Sequence, residues 1–255
     1  MKHIPLILVA EDVPFNMTLM VALLNQLIPG SEVVEVPNGR QAVNVAERIK
    51  VDMIFMDIQM PIMDGFEATR MIRQIELNHQ VDKPVPIIAV TAFTLNKEKE
   101  RCINAGMNDF LTKPIEKDAI YRMLVKYLNG NIIVGDGITS GKTVSHKRDD
   151  HFDIKALVER TSIEEATLLV LAQQAATNLG DHMITLSDAI SNNNSQQIKN
   201  AAHTIKGIAL NLDFTNLAYL SKQMEVLTDE EPDKTRKLFQ KMTEEVTVLK
   251  ELFKV

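Results

Sequence analysis

The sequence predicts an α/β domain with a doubly wound, five-stranded parallel sheet, followed by an all-α four-helix-bundle domain. Short apolar runs alternate with amphipathic helical stretches up to about residue 129. This alternation is typical of a parallel sheet covered by helices on both faces. A turn-rich, charged segment then interrupts the pattern, and only helical periodicity follows it.

Five apolar runs are predicted as strands, and helical stretches lie between and after them. The strand candidates are residues 6–10, 33–36, 53–56, 87–90 and 109–111. The helix candidates span approximately residues 14–28, 38–49, 65–78, 96–105 and 115–129. Because crossovers between parallel strands are right-handed almost without exception, few topologies are compatible with this order.

The predicted boundaries are 1–129 for the first domain, 130–150 for a linker and 151–255 for the second domain. The linker is indicated by the turn-rich Gly135-Asp136-Gly137 and by the charged run from His146 to Asp150, because such composition favours irregular structure.

The second domain shows four amphipathic helical stretches with short loops, a pattern typical of an antiparallel bundle. Ser162-Ile163-Glu164-Glu165 is predicted to be a capping box that opens the first long helix. Asn192-Asn193-Asn194 separates it from the second helix, and the third runs from about Thr215 to Leu227. Pro232 is placed in the first turn of the last helix.

Composition excludes several classes of function. The formal net charge of -6 provides no global basic surface for nucleic acid. No stretch of about 20 apolar residues is present to cross a membrane. Cys102 is the single cysteine, so neither an intramolecular disulfide nor a cysteine-based metal site can form. With no secretory pattern at Met1–Pro5, we expect a cytoplasmic protein.

Chemically reactive side chains follow four of the five predicted strands. Glu11 and Asp12 follow the first, Asp57 the third, Thr91 the fourth and Lys113 the fifth. The carboxyl ends of parallel strands meet at one edge of a sheet, where reactive groups collect. Three adjacent carboxylates repel one another, and Mg²⁺ supplies the counter-charge. Asp57 is then a nucleophile that forms an aspartyl phosphate, with Lys113 and the Thr91 hydroxyl stabilising the transferring group.

These residues resemble the motifs of the receiver domain of two-component response regulators, over the whole of residues 1–129. The matching motifs are Glu11-Asp12, Asn16, Met56-Asp57-Ile58-Gln59-Met60-Pro61, Asp64-Gly65, Thr91-Ala92 and Lys113-Pro114. The resemblance implies that Asp57 is the phosphoacceptor. It also implies that Glu11, Asp12 and Asp57 hold Mg²⁺ together with the backbone carbonyl of Gln59.

The same resemblance implies a flavodoxin-like sheet and a conformational switch. Lys113 would contact the phosphate, and the Lys113–Pro114 peptide is expected to be cis. Thr91 and Phe110 would form the switch pair, in which Phe110 turns inward when Thr91 moves toward the phosphate.

An aspartate-nucleophile phosphatase is a competing interpretation of the first domain. Those enzymes carry Asp-x-Asp after an apolar strand, and the second Asp serves as the acid and base. Gln59 stands at that position here, so water activation would lack its base.

His203 is the histidine with the most informative surroundings. A buried stripe is predicted on its helix at Ile198, Ala202, Ile205, Ala209 and Leu212. His203 falls beside that stripe, with Lys199 and Lys206 about one turn away on either side. Two ammonium groups favour a phosphorylated imidazole over a protonated one, and we expect the ring to face water. Alternatively, His203 is a surface histidine between ordinary lysines, and Gly207 serves close helix packing.

The segment His203-Thr204-Ile205-Lys206-Gly207 resembles the His-x-Leu-Lys-Gly motif of histidine-phosphotransfer domains, with Ile205 where Leu is usual. The resemblance covers residues 151–255. It implies that His203 carries a phosphoryl group and that Lys206 supports it.

Together the two resemblances predict a phosphorelay protein of two-component signal transduction. A sensor histidine kinase would phosphorylate Asp57, and His203 would exchange phosphoryl with a receiver aspartate, its own or that of another receiver or histidine-phosphotransfer protein. No ATP-binding kinase pattern is visible, so we expect a phosphoryl carrier with slow Mg²⁺-dependent self-phosphotransfer and dephosphorylation. The alternative is an interaction module switched by phosphorylation of Asp57, with a helical scaffold that transfers nothing.

Overall fold

The computed structural model describes residues 4–92, 96–128, 151–227 and 231–255, excluding the side chains of 96–98. These residues divide into two compact units, one on each side of the segment 129–150. The predicted linker, 130–150, therefore lies outside the described residues, and the domain boundaries remain predictions.

The first unit is a five-stranded parallel sheet with the strand order β2-β1-β3-β4-β5. The strands are β1 Leu6–Ala10, β2 Glu32–Val36, β3 Met53–Asp57, β4 Ile87–Thr91 and β5 Asp109–Thr112. The helices are α1 Pro14–Leu27, α2 Gly39–Arg48, α3 Gly65–Asn78, α4 Asn96–Ala105 and α5 Lys117–Tyr127. The predicted α/β architecture and order of elements are confirmed.

The sheet is covered by helices on both faces. Helix α1 packs against α5, while α3 packs against both α2 and α4. The central strands β3 and β4 are buried along their whole length, which explains their uninterrupted apolar sequences. The strand order reverses next to β1, so a crevice opens between the carboxyl ends of β1 and β3.

Side-chain caps fix the start of two helices at this edge of the sheet. Asn38 Oδ1 accepts a hydrogen bond from Gln41 N at 2.9 Å, and Asp64 Oδ1 accepts one from Glu67 N at 2.7 Å. Each cap satisfies a backbone N–H that the first turn of a helix leaves unpaired. Asp64 therefore places the first turn of α3 close behind the end of β3.

The second unit is a bundle of four helices preceded by a short helix. Its helices are α6 Ile154–Thr161, α7 Glu165–Ser191, α8 Ser195–Asn211, α9 Thr215–Glu225 and α10 Pro232–Phe253. The four long helices close a ring in which α7 contacts α8 and α10, and α9 contacts α8 and α10. The predicted four-helix bundle is confirmed, and α6, which packs against α7, was not predicted.

The predicted capping box at Ser162–Glu165 is wrong. Ser162 ends α6 in the left-handed conformation with φ 54°, and Glu164 begins α7 without a side-chain cap. The cap lies earlier, at Asp153, whose Oδ1 accepts a hydrogen bond from Ala156 N at 3.0 Å.

Among the helices that the structure describes, none combines the length and the apolar character needed to cross a membrane.

Candidate functional site

The first candidate site lies at the carboxyl edge of the sheet. Glu11 and Asp12 follow β1, Asp57 ends β3, and one carboxylate oxygen from each lies within 4.8 Å of the others. The strands are in register here, with Asp57 opposite Val90. The sheet therefore brings together carboxylates that are separated by more than 40 residues in the sequence.

Lys113 joins two of these carboxylates. Its Nζ lies 2.6 Å from Asp57 Oδ2 and 2.8 Å from Glu11 Oε2, and all three side chains are buried. The backbone N of Lys113 also donates to Thr91 O at 2.6 Å. The Lys113–Pro114 peptide is cis, as predicted.

Asn16 is a further polar member of the site. Its Nδ2 donates to Glu11 Oε1 at 2.9 Å, and Val13 N lies 3.3 Å from the same oxygen. Asn16 is wholly buried. The motif match included Asn16, but no role was predicted for it; in the structure it orients Glu11.

The electrostatics of this site indicate an excess of negative charge. Burial, reinforced by the neighbouring charge of Asp57, raises the pKa of Glu11 to about 8 although Lys113 opposes the shift. The same two causes raise the pKa of Asp12 to about 6. For Lys113, burial acts to lower the pKa, but Asp57 and Glu11 outweigh it and the pKa is raised. One ammonium therefore does not balance three carboxylates.

This donor set fits a hard divalent cation. All of its groups are oxygen ligands, which Mg²⁺ prefers. The three carboxylates converge at one point, and a divalent cation would supply the positive charge that Lys113 alone does not provide. Gln59 lies at the same end of β3, where its backbone N is 3.3 Å from Asp57 Oδ1.

Gly65 is required by the close approach of α3 to β3. A methyl group at Gly65 would lie 2.2 Å from the backbone oxygen of Asp57, far inside van der Waals contact. The backbone N of Gly65 donates to Ile58 O at 2.9 Å. The loop that follows Asp57 is thus closed tightly against the backbone of Asp57 itself.

Thr91 and Phe110 project to the same face of the sheet. Thr91 pairs with Thr112, and Phe110 pairs with Ala89, two residues before Thr91. Thr91 is buried, whereas Phe110 is half-buried with Lys99 Nζ 5.5 Å from its ring centroid. This geometry is compatible with a switch pair, and the inward turn of Phe110 stays a prediction.

The second candidate site lies between α8 and α9. His203 Nδ1 is 2.6 Å from Glu225 Oε1, and the ammonium of Lys206 is hydrogen-bonded to Glu225 Oε2. The side chain of His203 is only 9% exposed, so the expectation that the ring faces water is wrong. The physical reason is that α9 packs closely on α8 and brings Glu225 against Nδ1 of the imidazole.

Glu225 is a charged partner that the sequence did not reveal. Burial acts to raise the pKa of Glu225, but hydrogen bonds from His203 and Lys206 outweigh it and the pKa is lowered. A carboxylate that accepts a hydrogen bond from Nδ1–H keeps the proton on that nitrogen and leaves the lone pair on Nε2. Lys199, the other lysine flanking His203, is exposed.

Comparison with known protein families finds two matches. The response regulator receiver domain matches residues 7–125, and the Hpt domain matches residues 170–252.

Similar proteins include sensor kinases of bacteria. The chain is 39% identical over 133 residues to the signal transduction histidine-protein kinase BarA of Escherichia coli, covering 52% of this chain and 14% of that protein. It is 37% identical over 123 residues to the sensor histidine kinase GacS of Pseudomonas protegens, covering 48% of this chain and 13% of that protein. The chain thus spans only a small part of the curated relatives it matches.

Two solved structures are similar to about half of this chain. One is the receiver domain of sensor histidine kinase PA1611 from Pseudomonas aeruginosa, which has a magnesium ion in its active-site cleft. It is 42% identical to this chain with a TM-score of 0.44, and the match covers 49% of this chain and 98% of that chain. The other is the Saccharomyces cerevisiae complex of the histidine phosphotransfer protein Ypd1 with the Ssk1 receiver domain. The matched chain is 29% identical with a TM-score of 0.46, and the match covers 48% of this chain and 88% of that chain.

Proposed function

This chain joins a response regulator receiver domain to an Hpt domain, the two phosphotransfer modules of phosphorelay signalling, and we propose that Asp57 and His203 are its phosphoryl carriers. The observation that carries the proposal is the convergence of Glu11, Asp12, Asp57 and Lys113 at one edge of the sheet. A buried carboxylate held beside an ammonium is suited to accept a phosphoryl group, because the ammonium offsets the charge that transfer brings.

The transfer to Asp57 is a direct displacement. One Asp57 oxygen attacks phosphorus of a phosphohistidine, the O–P bond forms, and the P–N bond breaks with its electron pair left on the imidazole nitrogen. Lys113, already 2.6 Å from Asp57, stays beside the transferred group as a counter-charge. Thr91, at the adjacent strand end, donates its hydroxyl to a phosphoryl oxygen.

Mg²⁺ is the cofactor that this site fits. Glu11, Asp12, Asp57 and the backbone carbonyl of Gln59 would hold it. When bound, the ion supplies positive charge that offsets the phosphoryl oxygens. Asn16 keeps Glu11 oriented through its hydrogen bond.

At the second site, His203 is the nucleophile. Glu225 accepts the Nδ1–H hydrogen bond, so Nε2 has the lone pair that attacks phosphorus. Lys206 is held next to the ring by the same carboxylate, where its ammonium can offset phosphoryl charge. When the phosphoryl group leaves, the electron pair of the P–N bond returns to Nε2 and no proton has to move.

The partners follow from this chemistry. A sensor histidine kinase would deliver phosphoryl to Asp57, and receiver or Hpt proteins would exchange it with His203. We infer slow Mg²⁺-dependent self-phosphotransfer and dephosphorylation at Asp57, and a cytoplasmic location, where ATP-dependent kinases act. The alternative, a switched interaction module with a passive bundle, predicts labelling of Asp57 alone.

Two small phosphodonors test the proposal on the full chain. Acetyl phosphate with Mg²⁺ is expected to place an acid-stable, base-labile label on Asp57, which Asp57→Asn abolishes. Phosphoramidate is expected to place an acid-labile, base-stable label on His203, which His203→Gln abolishes. Label that survives both substitutions would contradict the proposal, and label on Asp57 alone would favour the interaction module.

A further inference from the structure

Ile62 combines three unusual properties in the loop between β3 and α3. Its side chain is 81% exposed, and its φ is +71°. Met63 N donates to Pro61 O at 2.7 Å, so the three residues form the rare γ-turn with a positive φ at its centre. This turn is strained, and a β-branched residue at its centre is a genuine outlier.

An isoleucine gives the isolated receiver unit no advantage at this position. Gly or Asn would adopt the positive φ with little strain, and the Ile62 side chain, 81% exposed, buries little surface within the unit. Strained residues that persist cluster at sites of function. The benefit of Ile62 is therefore expected in a complex.

The position of Ile62 limits which complex this can be. The loop begins directly after Asp57, and Gly65 closes it against the Asp57 backbone. A phosphohistidine that reacts with Asp57 has to approach the same edge of the sheet. A protein that presents such a histidine would therefore cover Ile62.

The Hpt unit offers matching chemistry next to its own histidine. Val226 is 73% exposed and directly follows Glu225, the residue hydrogen-bonded to His203. Two exposed lysines lie one turn from these residues, Lys199 on α8 and Lys222 on α9. An apolar contact beside basic side chains complements Ile62 beside an acidic site.

We propose that Ile62 and Val226 form the apolar contact of the phosphotransfer complex between the receiver of one copy of this chain and the Hpt domain of a second copy. The proposal rests on the proposed function, because it takes Asp57 and His203 as the reacting residues. It adds the surface by which donor and acceptor recognise one another.

Full-length chains provide the test. The donor is the Asp57→Asn chain, labelled on His203 with phosphoramidate and then desalted. The acceptor is the His203→Gln chain, alone or with Ile62→Asn. The matched control acceptor carries Leu77→Asn, since Leu77 is 71% exposed on α3 but lies in a helix rather than in the strained turn. Transfer to Asp57 is timed by phosphate-affinity electrophoresis.

Ile62→Asn is expected to slow transfer from the donor about tenfold, the usual effect of losing one apolar anchor. The same substitution should raise the midpoint of thermal unfolding, since strain is relieved. Labelling of the variant by acetyl phosphate should be unchanged, and Leu77→Asn should leave the transfer rate unchanged. Opposite effects on stability and transfer cannot arise from a damaged fold.

A double-mutant cycle tests the pairing. With Val226→Asn in the donor, the loss caused by Ile62→Asn should largely disappear, because the two side chains share one contact. If Ile62→Asn and Val226→Asn each lower the transfer rate by a factor that does not depend on the other, the pairing is overturned. An unchanged transfer rate with Ile62→Asn would also overturn it, as would a lack of transfer to the acceptor that carries His203→Gln alone. Normal labelling by the two small phosphodonors would still leave the proposed function intact in each of those cases.

Discussion

His203 and Glu225 lie 22 residues apart in the sequence, and their Nδ1 and Oε1 atoms are 2.6 Å apart in the bundle. Glu225 also holds the ammonium of Lys206. One carboxylate thus orders the imidazole and its neighbouring cation together. Of the two neutral tautomers of the imidazole, this contact selects the one with the proton on Nδ1 and the lone pair on Nε2.

Glu225→Ala should lower the rate at which phosphoramidate labels His203 by about tenfold, the usual cost of losing a partner that orients a reactive imidazole. Glu225→Gln should recover part of the rate, because its amide oxygen still accepts the Nδ1–H hydrogen bond. Glu159→Ala, which removes an exposed carboxylate on α6, is the control. Equal rates for Glu225→Ala and the unsubstituted chain would show that Glu225 does not position His203.

The lowered pKa of Glu225 predicts a pH dependence of bundle stability. Its hydrogen bonds contribute stability above the pKa that the group has when unfolded, and this contribution is lost as the pH falls through the lower folded pKa. Hydrogen exchange of α8 amides between about pH 3 and 6 measures the effect. Protection should fall with acid, and the fall should be smaller in Glu225→Gln. Identical profiles for both proteins would contradict the prediction.

The strand-end cluster was predictable from the sequence, whereas the partner of His203 was not. Asp57 and Thr91 end buried apolar runs, and the parallel sheet fixes where such ends meet. Glu225 meets His203 only through the packing register of α9 on α8. Amphipathic periodicity identifies the buried face of each helix but does not set that register.

Local patterns also failed where one residue can serve two roles. Ser162 matched a capping box, since Ser is a good helix N-cap and Glu165 follows at the right spacing. In the structure Ser162 instead ends α6 in the left-handed region. Helix α6 has only eight residues, too few for its periodicity to stand out in the sequence.

Lys113→Ala should destabilise the receiver unit without divalent cations by about 3–5 kcal/mol, because it leaves Glu11 and Asp57 buried together without their counter-charge. Hydrogen exchange of the β3 and β4 amides in the presence of a chelator measures the loss. Mg²⁺ should restore part of the protection, since it supplies positive charge to the same carboxylates. Substitution of the exposed Lys83 by Ala, which should change little, is the control; equal protection for both variants would contradict the prediction.

Gly65→Ala should displace Asp57 and abolish labelling by acetyl phosphate. The added methyl group would lie 2.2 Å from the Asp57 carbonyl oxygen, so β3 or α3 has to shift. Gly180→Ala is a useful contrast. Gly180 lies in the interior of α7, and the new methyl group would meet only the flexible end of the Lys250 side chain. That control should raise bundle stability by about 0.5–1 kcal/mol. Normal aspartyl labelling of Gly65→Ala would contradict the predicted clash.

Phosphorus NMR of the full chain tests the relay claim most directly. After loading with phosphoramidate and desalting, one phosphohistidine resonance is expected, absent in His203→Gln. Addition of Mg²⁺ should convert it into an acyl phosphate resonance and then into inorganic phosphate. The acyl phosphate should be missing in Asp57→Asn. A phosphohistidine signal that decays to inorganic phosphate at the same rate in the unsubstituted chain and in Asp57→Asn, with no acyl phosphate in either, would contradict the account.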